Sequence, residues 1–148
     1  MKKFHYSLET VLDYKQRILD SILEEYAVWQ QRIEERKTKI QTLRKEKRNL
    51  EDSFDKLQHA GGNIEKFLLY ADLIDRMDRE IEVQKEKLQE LEKEAEKVKK
   101  KVIDAKIDVN KFEKLKEKKF QSYRLAEQKE NEAFIDEFVQ NQTSRPTG

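Results

Sequence analysis

The sequence predicts an all-α fold: two long helices forming an antiparallel coiled-coil hairpin, the second helix overhanging at the C-terminus. Three observations carry this expectation. Charged residues make up 43% of the chain and apolar ones 36%, with 3 Gly and 1 Pro in 148 residues. Such a composition suits long helices joined by a narrow seam better than a globule with a broad core. Apolar residues recur at heptad spacing along both halves. Two of the three glycines stand together in mid-chain, where the repeat is interrupted.

The first helix is expected over about residues 8–59. Positions 8, 12, 15, 19, 22, 26, 29, 33, 36, 40, 43, 47, 50, 54 and 57 alternate steps of four and three. Twelve of these fifteen are apolar, the exceptions being Lys15, Arg36 and Lys47. Ser7 can cap the first turn through its hydroxyl. Tyr6 and Val11 occupy the positions of a hydrophobic staple. The turn is expected at residues 60–63, Ala60-Gly61-Gly62-Asn63. Glycine tolerates the left-handed conformation that ends a helix, and Asn63 is a good cap for the next one.

The second helix is expected over about 64–139, completing a single hairpin domain over 1–140, with 141–148 as a disordered tail. Its seam runs through 67, 70, 74, 77, 81, 84, 88, 91, 95, 98, 102, 105, 109 and 112, where thirteen of fourteen residues are apolar and Gln84 is the exception. After Phe112 the phase fails, with lysine at 116 and 119, and the apolar residues shift to Leu115, Phe120 and Tyr123.

Folding at the glycines pairs residues whose numbers total about 123. Charge supports that register independently. Residues 4–26 carry two basic and five acidic side chains and face 97–119, with ten basic and four acidic. Residues 27–51 carry eight basic and four acidic and face 72–96, with five basic and ten acidic. Opposite charges flanking a seam help to set orientation. The paired section would measure about 75–80 Å at ~1.5 Å per residue, and the overhang about 30 Å more.

Several function classes are disfavoured. The net charge of +1 lacks the basic excess of a dedicated nucleic-acid binder. With no cysteine, disulfides and thiol-ligated zinc are excluded, in keeping with a reducing cytoplasm. No apolar run is long enough to span a membrane, and Met1-Lys2-Lys3 leads into a polar–apolar mixture unlike a signal peptide. The two histidines, His5 and His59, stand far apart in sequence, and no phosphate loop, metal-ligand cluster or Ser-His-Asp set is present. No enzyme activity and no cofactor are therefore expected.

Four features need a reading of their own. The basic run Lys97-Val98-Lys99-Lys100-Lys101 reads as a solvated face beside the acidic first helix rather than a phosphate-binding patch. Arg36 and Gln84 fall in nearby layers; they could form a buried polar contact that fixes register, or Arg36 could snorkel to water. Phe134, Ile135, Phe138 and Val139 cluster on the overhang with no partner inside the hairpin. They should enter a groove in another protein or, on the alternative reading, fold back or self-associate as in a generic coiled-coil scaffold. Near the turn, Phe67, Leu68, Leu69, Tyr70, Leu73 and Ile74 exceed what one seam can hide, giving either a second docking patch or a widened core.

Three segments together resemble the FliJ family, the small coiled-coil component of bacterial flagellar type III export. They are Phe4-His5-Tyr6-Ser7-Leu8 followed by Val11-Leu12, the run Asp108 to Phe120 around Phe112 and Leu115, and Phe134-Ile135-Asp136-Glu137-Phe138. The resemblance implies a non-enzymatic protein similar in form to the gamma stalk of rotary ATPases. Its implied partners are the hexameric export ATPase, the cytoplasmic domain of the membrane export gate and the export chaperones, with no nucleic acid and no direct membrane insertion. Its implied place is cytoplasmic, peripherally on the inner face of the membrane at the flagellar base. By the same analogy Leu115, Phe120, Tyr123, Phe134, Asp136, Glu137 and Phe138 would contact the ATPase, and Phe67, Tyr70 and Ile74 the gate.

Overall fold

Heptad repeats nearly free of glycine and proline bury their apolar stripe against another helix, and in the computed structural model that helix belongs to the same chain. Residues 2–144 are described. Among them are two long helices that pack against each other, α1 over Glu9–His59 and α2 over Ile64–Ser144. Helix α2 therefore continues past 139, so 141–144 of the expected tail are helical, while 145–148 lie outside the described residues.

The turn is built by local chemistry. Gly61 has φ of +71°, in the left-handed region. Its amide donates to the Gln58 carbonyl at 3.3 Å, and the Gly62 amide donates to Leu57 at 3.1 Å. This nested pair is a Schellman closure of α1. Gly62 serves differently: a Cβ there would meet Cγ of Leu57 at 2.7 Å, so the close approach needs a residue without a side chain. Asn63 then caps α2, its Oδ1 accepting the Glu65 amide at 2.9 Å.

The chain divides into two compact units, one comprising Met1–Asp20 with Ile103–Gly148 and the other Ser21–Val102. In the second unit α1 and α2 run antiparallel, as Arg36 with Gln84, Lys47 with Asp78 and Phe54 with Phe67 show. In the first, Lys15 lies 3.5 Å from Asp108 and Glu9 2.8 Å from Lys116, the same antiparallel sense. The numbers of these partners total between 120 and 125, close to the expected register. All twenty-nine seam positions are buried or half-buried.

The exceptions in the seam carry the polar contacts. Lys15 meets Asp108, and Lys47 meets Asp78 at 2.5 Å and Glu51 at 3.5 Å. The hydrogen bond to Asp78 raises the Lys47 pKa. Arg36 donates from Nη1 to Oε1 of Gln84, whose Nε2 donates to Glu80 at 2.7 Å. Gln84 is 1% exposed, the most buried side chain described, so the contact is a buried one and Arg36 is not simply reaching for water. Arg36→Leu is expected to cost about 2 kcal/mol, because it strands the Gln84 carbonyl in the seam. Arg36→Leu with Gln84→Leu should recover most of that loss, since both partners leave together. Denaturant unfolding of the two variants measures this; a single variant as stable as the parent would restore the snorkelling reading.

Candidate functional site

Two apolar surfaces are candidates for docking, and each lies within one unit. In the first unit α2 runs on beyond its helical partner. At about 100° per residue, Phe134, Ile135, Phe138 and Val139 span an arc of roughly 140°. They are 69%, 57%, 55% and 50% exposed. Asp136 and Glu137 are also exposed and flank this arc on either side, so they edge the apolar face rather than share its centre. No residue from 128 to 143 is buried or half-buried.

Phe120 and Tyr123 are placed otherwise than expected. The sequence put them on an overhang without a partner, but the non-helical segment before α1 lies against them. The Phe4 ring packs edge-on to Phe120 at 5.2 Å and tilted to Tyr123 at 5.5 Å, and Phe120 stacks with Tyr123 at 6.5 Å. The Tyr123 hydroxyl donates to the Lys2 carbonyl at 2.6 Å. Loss of water around that phenol, then the neighbouring Glu127 carboxylate, pushes its pKa up. Tyr6 is 5% exposed, and its hydroxyl donates to the Phe112 carbonyl at 3.1 Å. The Tyr6 carbonyl also takes the Glu9 amide at 3.1 Å, closing the turn into α1. Leu115 is 36% exposed. Next to it Lys116, which broke the heptad phase, bonds Glu9; that hydrogen bond raises the lysine pKa.

The reason is a change of pitch. A helical partner advances one residue for each residue of α2, whereas an extended one advances ~3.3 Å against ~1.5 Å. The four steps from residue 2 to residue 6 thus cover about 13 Å against about 16 Å for the eleven helical steps from 112 to 123, and the side chains of Tyr6 and Tyr123 span the remainder. Residues 2–6 accordingly reach from Phe112 to Tyr123. Two signals in the sequence mark this. Phe4 and Tyr6 point inward while Lys3, His5 and Ser7 are exposed, the period-two alternation of an extended segment. Also, Phe112, Tyr123 and Phe134 recur every eleven residues, a spacing that keeps one face of a nearly straight helix.

In the second unit, Phe67, Tyr70 and Ile74 are half-buried seam residues. Phe67 and Tyr70 pack on Phe54, with centroids 5.8 and 6.3 Å apart. The apolar surface open to solvent is contributed instead by Ile64, Leu68 and Leu69, which are 71%, 65% and 58% exposed. The off-seam residues Leu68, Leu69 and Leu73 are thus open rather than packed into a widened core, while Phe67, Tyr70 and Ile74 keep to the seam.

Among the described residues no helix is long and apolar enough to cross a membrane, and no group of three or more His, Asp or Glu is placed to hold a metal ion. The family model described as flagellar FliJ protein matches residues 4–148. No curated protein and no solved structure matches the chain significantly.

Proposed function

The chain belongs to the FliJ family, whose members are components of the flagellar protein export apparatus, and from that premise we propose that it acts without chemistry of its own, by docking the hexameric export ATPase on the C-terminal part of α2. The observation that carries this is the cluster Phe134, Ile135, Phe138 and Val139, half or more exposed on a helix that has no helical partner there. Leaving such a patch in water is costly, and an apolar groove on a partner relieves that cost. Phe120 and Tyr123 continue the contact on the same side of the helix, Asp136 and Glu137 line its edge, and Leu115, about 100° round the helix from Phe134, lies off it. Any effect on ATP hydrolysis would come from favouring one conformation of the ATPase over another.

The turn-proximal patch is the second docking surface in this reading, for the cytoplasmic domain of the export gate. Phe67, Tyr70 and Ile74 shape it from beneath, while Leu68 and Leu69 supply the exposed contact. Export chaperones complete the set of partners, and the place of action is the cytoplasmic face of the membrane at the flagellar base.

The test is retention of the purified export ATPase from the same bacterium by the full chain and by a chain ending at Gln128. That truncation keeps the Phe4–Phe120–Tyr123 contacts, and the residues it removes are exposed from 129 to 143. Retention by the full chain alone is expected. Equal retention by both would move the site elsewhere. Concentration-dependent dimerisation that the truncation removes, with no ATPase bound, would favour the self-associating scaffold.

A further inference from the structure

We propose that residues 2–5 form a displaceable cover, hinged at Tyr6, over the N-terminal part of the same docking face, so that ATPase binding lifts the cover and extends the face to Phe120 and Tyr123. The inference rests on reading the C-terminal part of α2 as the ATPase-docking surface. Its warrant is continuity. Phe112, Lys116, Phe120, Tyr123, Glu127, Asn131, Phe134 and Phe138 follow one another at steps of four, four and three. That pattern holds a single stripe along the helix. The described residues of the N-terminal segment cover the stripe as far as Tyr123; beyond it Phe134 and Phe138 are open.

The hold is graded along the segment. Tyr6 is buried and tied at both its hydroxyl and its carbonyl, which makes it the fixed point. Ahead of it Lys2, Lys3 and His5 are exposed, and Phe4 is only half-buried. Phe120 remains 37% exposed beneath it. The Lys2 end is secured through its backbone carbonyl, which water satisfies equally well once released. A cleft lined by Lys2, Phe4, Lys119, Ser122 and Tyr123 separates part of the segment from α2. A partner that needs the whole stripe must displace these residues. Its apparent affinity is then reduced by the fraction of molecules still covered.

Two variants of the full chain test this against the purified export ATPase. Phe4→Ala removes the wedge and should tighten binding about five- to tenfold. Lys2→Cys with Lys119→Cys places two thiols on the same cleft of a chain that has no other cysteine. Oxidation should weaken binding by a similar factor, and reductant should restore it; a merely structural segment would give no reductant-reversible change. Binding that is unchanged or weaker in Phe4→Ala and indifferent to the lock overturns the cover and leaves the docking surface standing. No binding by the parent or by either variant overturns the docking surface and the cover with it.

Discussion

Ile33→Asp is expected to lower the thermal midpoint by about 10 °C or more, the consequence of losing about 3 kcal/mol or more of stability. Ile33 is 5% exposed, at a seam position of α1. An aspartate there must either carry its charge into an apolar layer or take up a proton, and either choice costs free energy. Lys37, one turn on, can draw the carboxylate partly outward, which sets the loss at the lower end of that range. Val28→Asp is the control. Val28 lies on the same helix at 47% exposure, and its replacement should change stability by no more than about 0.5 kcal/mol. Circular-dichroism melting of the pair reads the difference directly. Equal midpoints would mean that the heptad stripe is not the buried face.

That contrast is legible in the sequence because a two-helix seam is a one-dimensional pattern. Steps of four and three identify the inward positions of both helices, and none of them is exposed in the structure. The turn is equally local: Gly61 meets the left-handed requirement, and Asn63 supplies the cap. What heptad reasoning could not describe is a partner that is not a helix. A one-to-one register places Leu8 opposite residue 115 and has nothing to set against Phe120 and Tyr123. The extended Phe4–Tyr6 segment fills that place at another pitch. Nor could periodicity decide which apolar residues near the turn are open. Phe54, a seam residue on the opposite helix, takes up both Phe67 and Tyr70, so the exposed surface falls to Leu68 and Leu69. The polar exceptions in the seam carry their own lesson. Lys15, Arg36 and Lys47 look like flaws in the repeat, yet each is matched by an oxygen acceptor on α2.

Phe138→Asp is the complementary case, in which stability should hold and binding should fail. Phe138 is 55% exposed, on a stretch of α2 where no residue is buried, so a charge there disturbs no packed layer. Its place between Phe134, one turn before it, and Val139 puts it at the centre of the apolar arc. In a docked complex the ring would occupy a groove, and replacing it with a carboxylate both removes that contact and asks the groove to desolvate a charge. A loss of about 3 kcal/mol or more is expected, which is at least about a hundredfold in affinity for the export ATPase. Helicity and the melting midpoint should stay at parental values. Leu125→Asp makes the comparison sharp: Leu125 is equally exposed at 55% but stands on the far side of the helix from Phe134. If both substitutions weaken binding alike, the contact depends on the general apolarity of α2. If only Phe138→Asp does so, the stripe from Phe112 to Phe138 is the face that docks. Unchanged affinity in Phe138→Asp would remove the C-terminal part of α2 from the binding reaction.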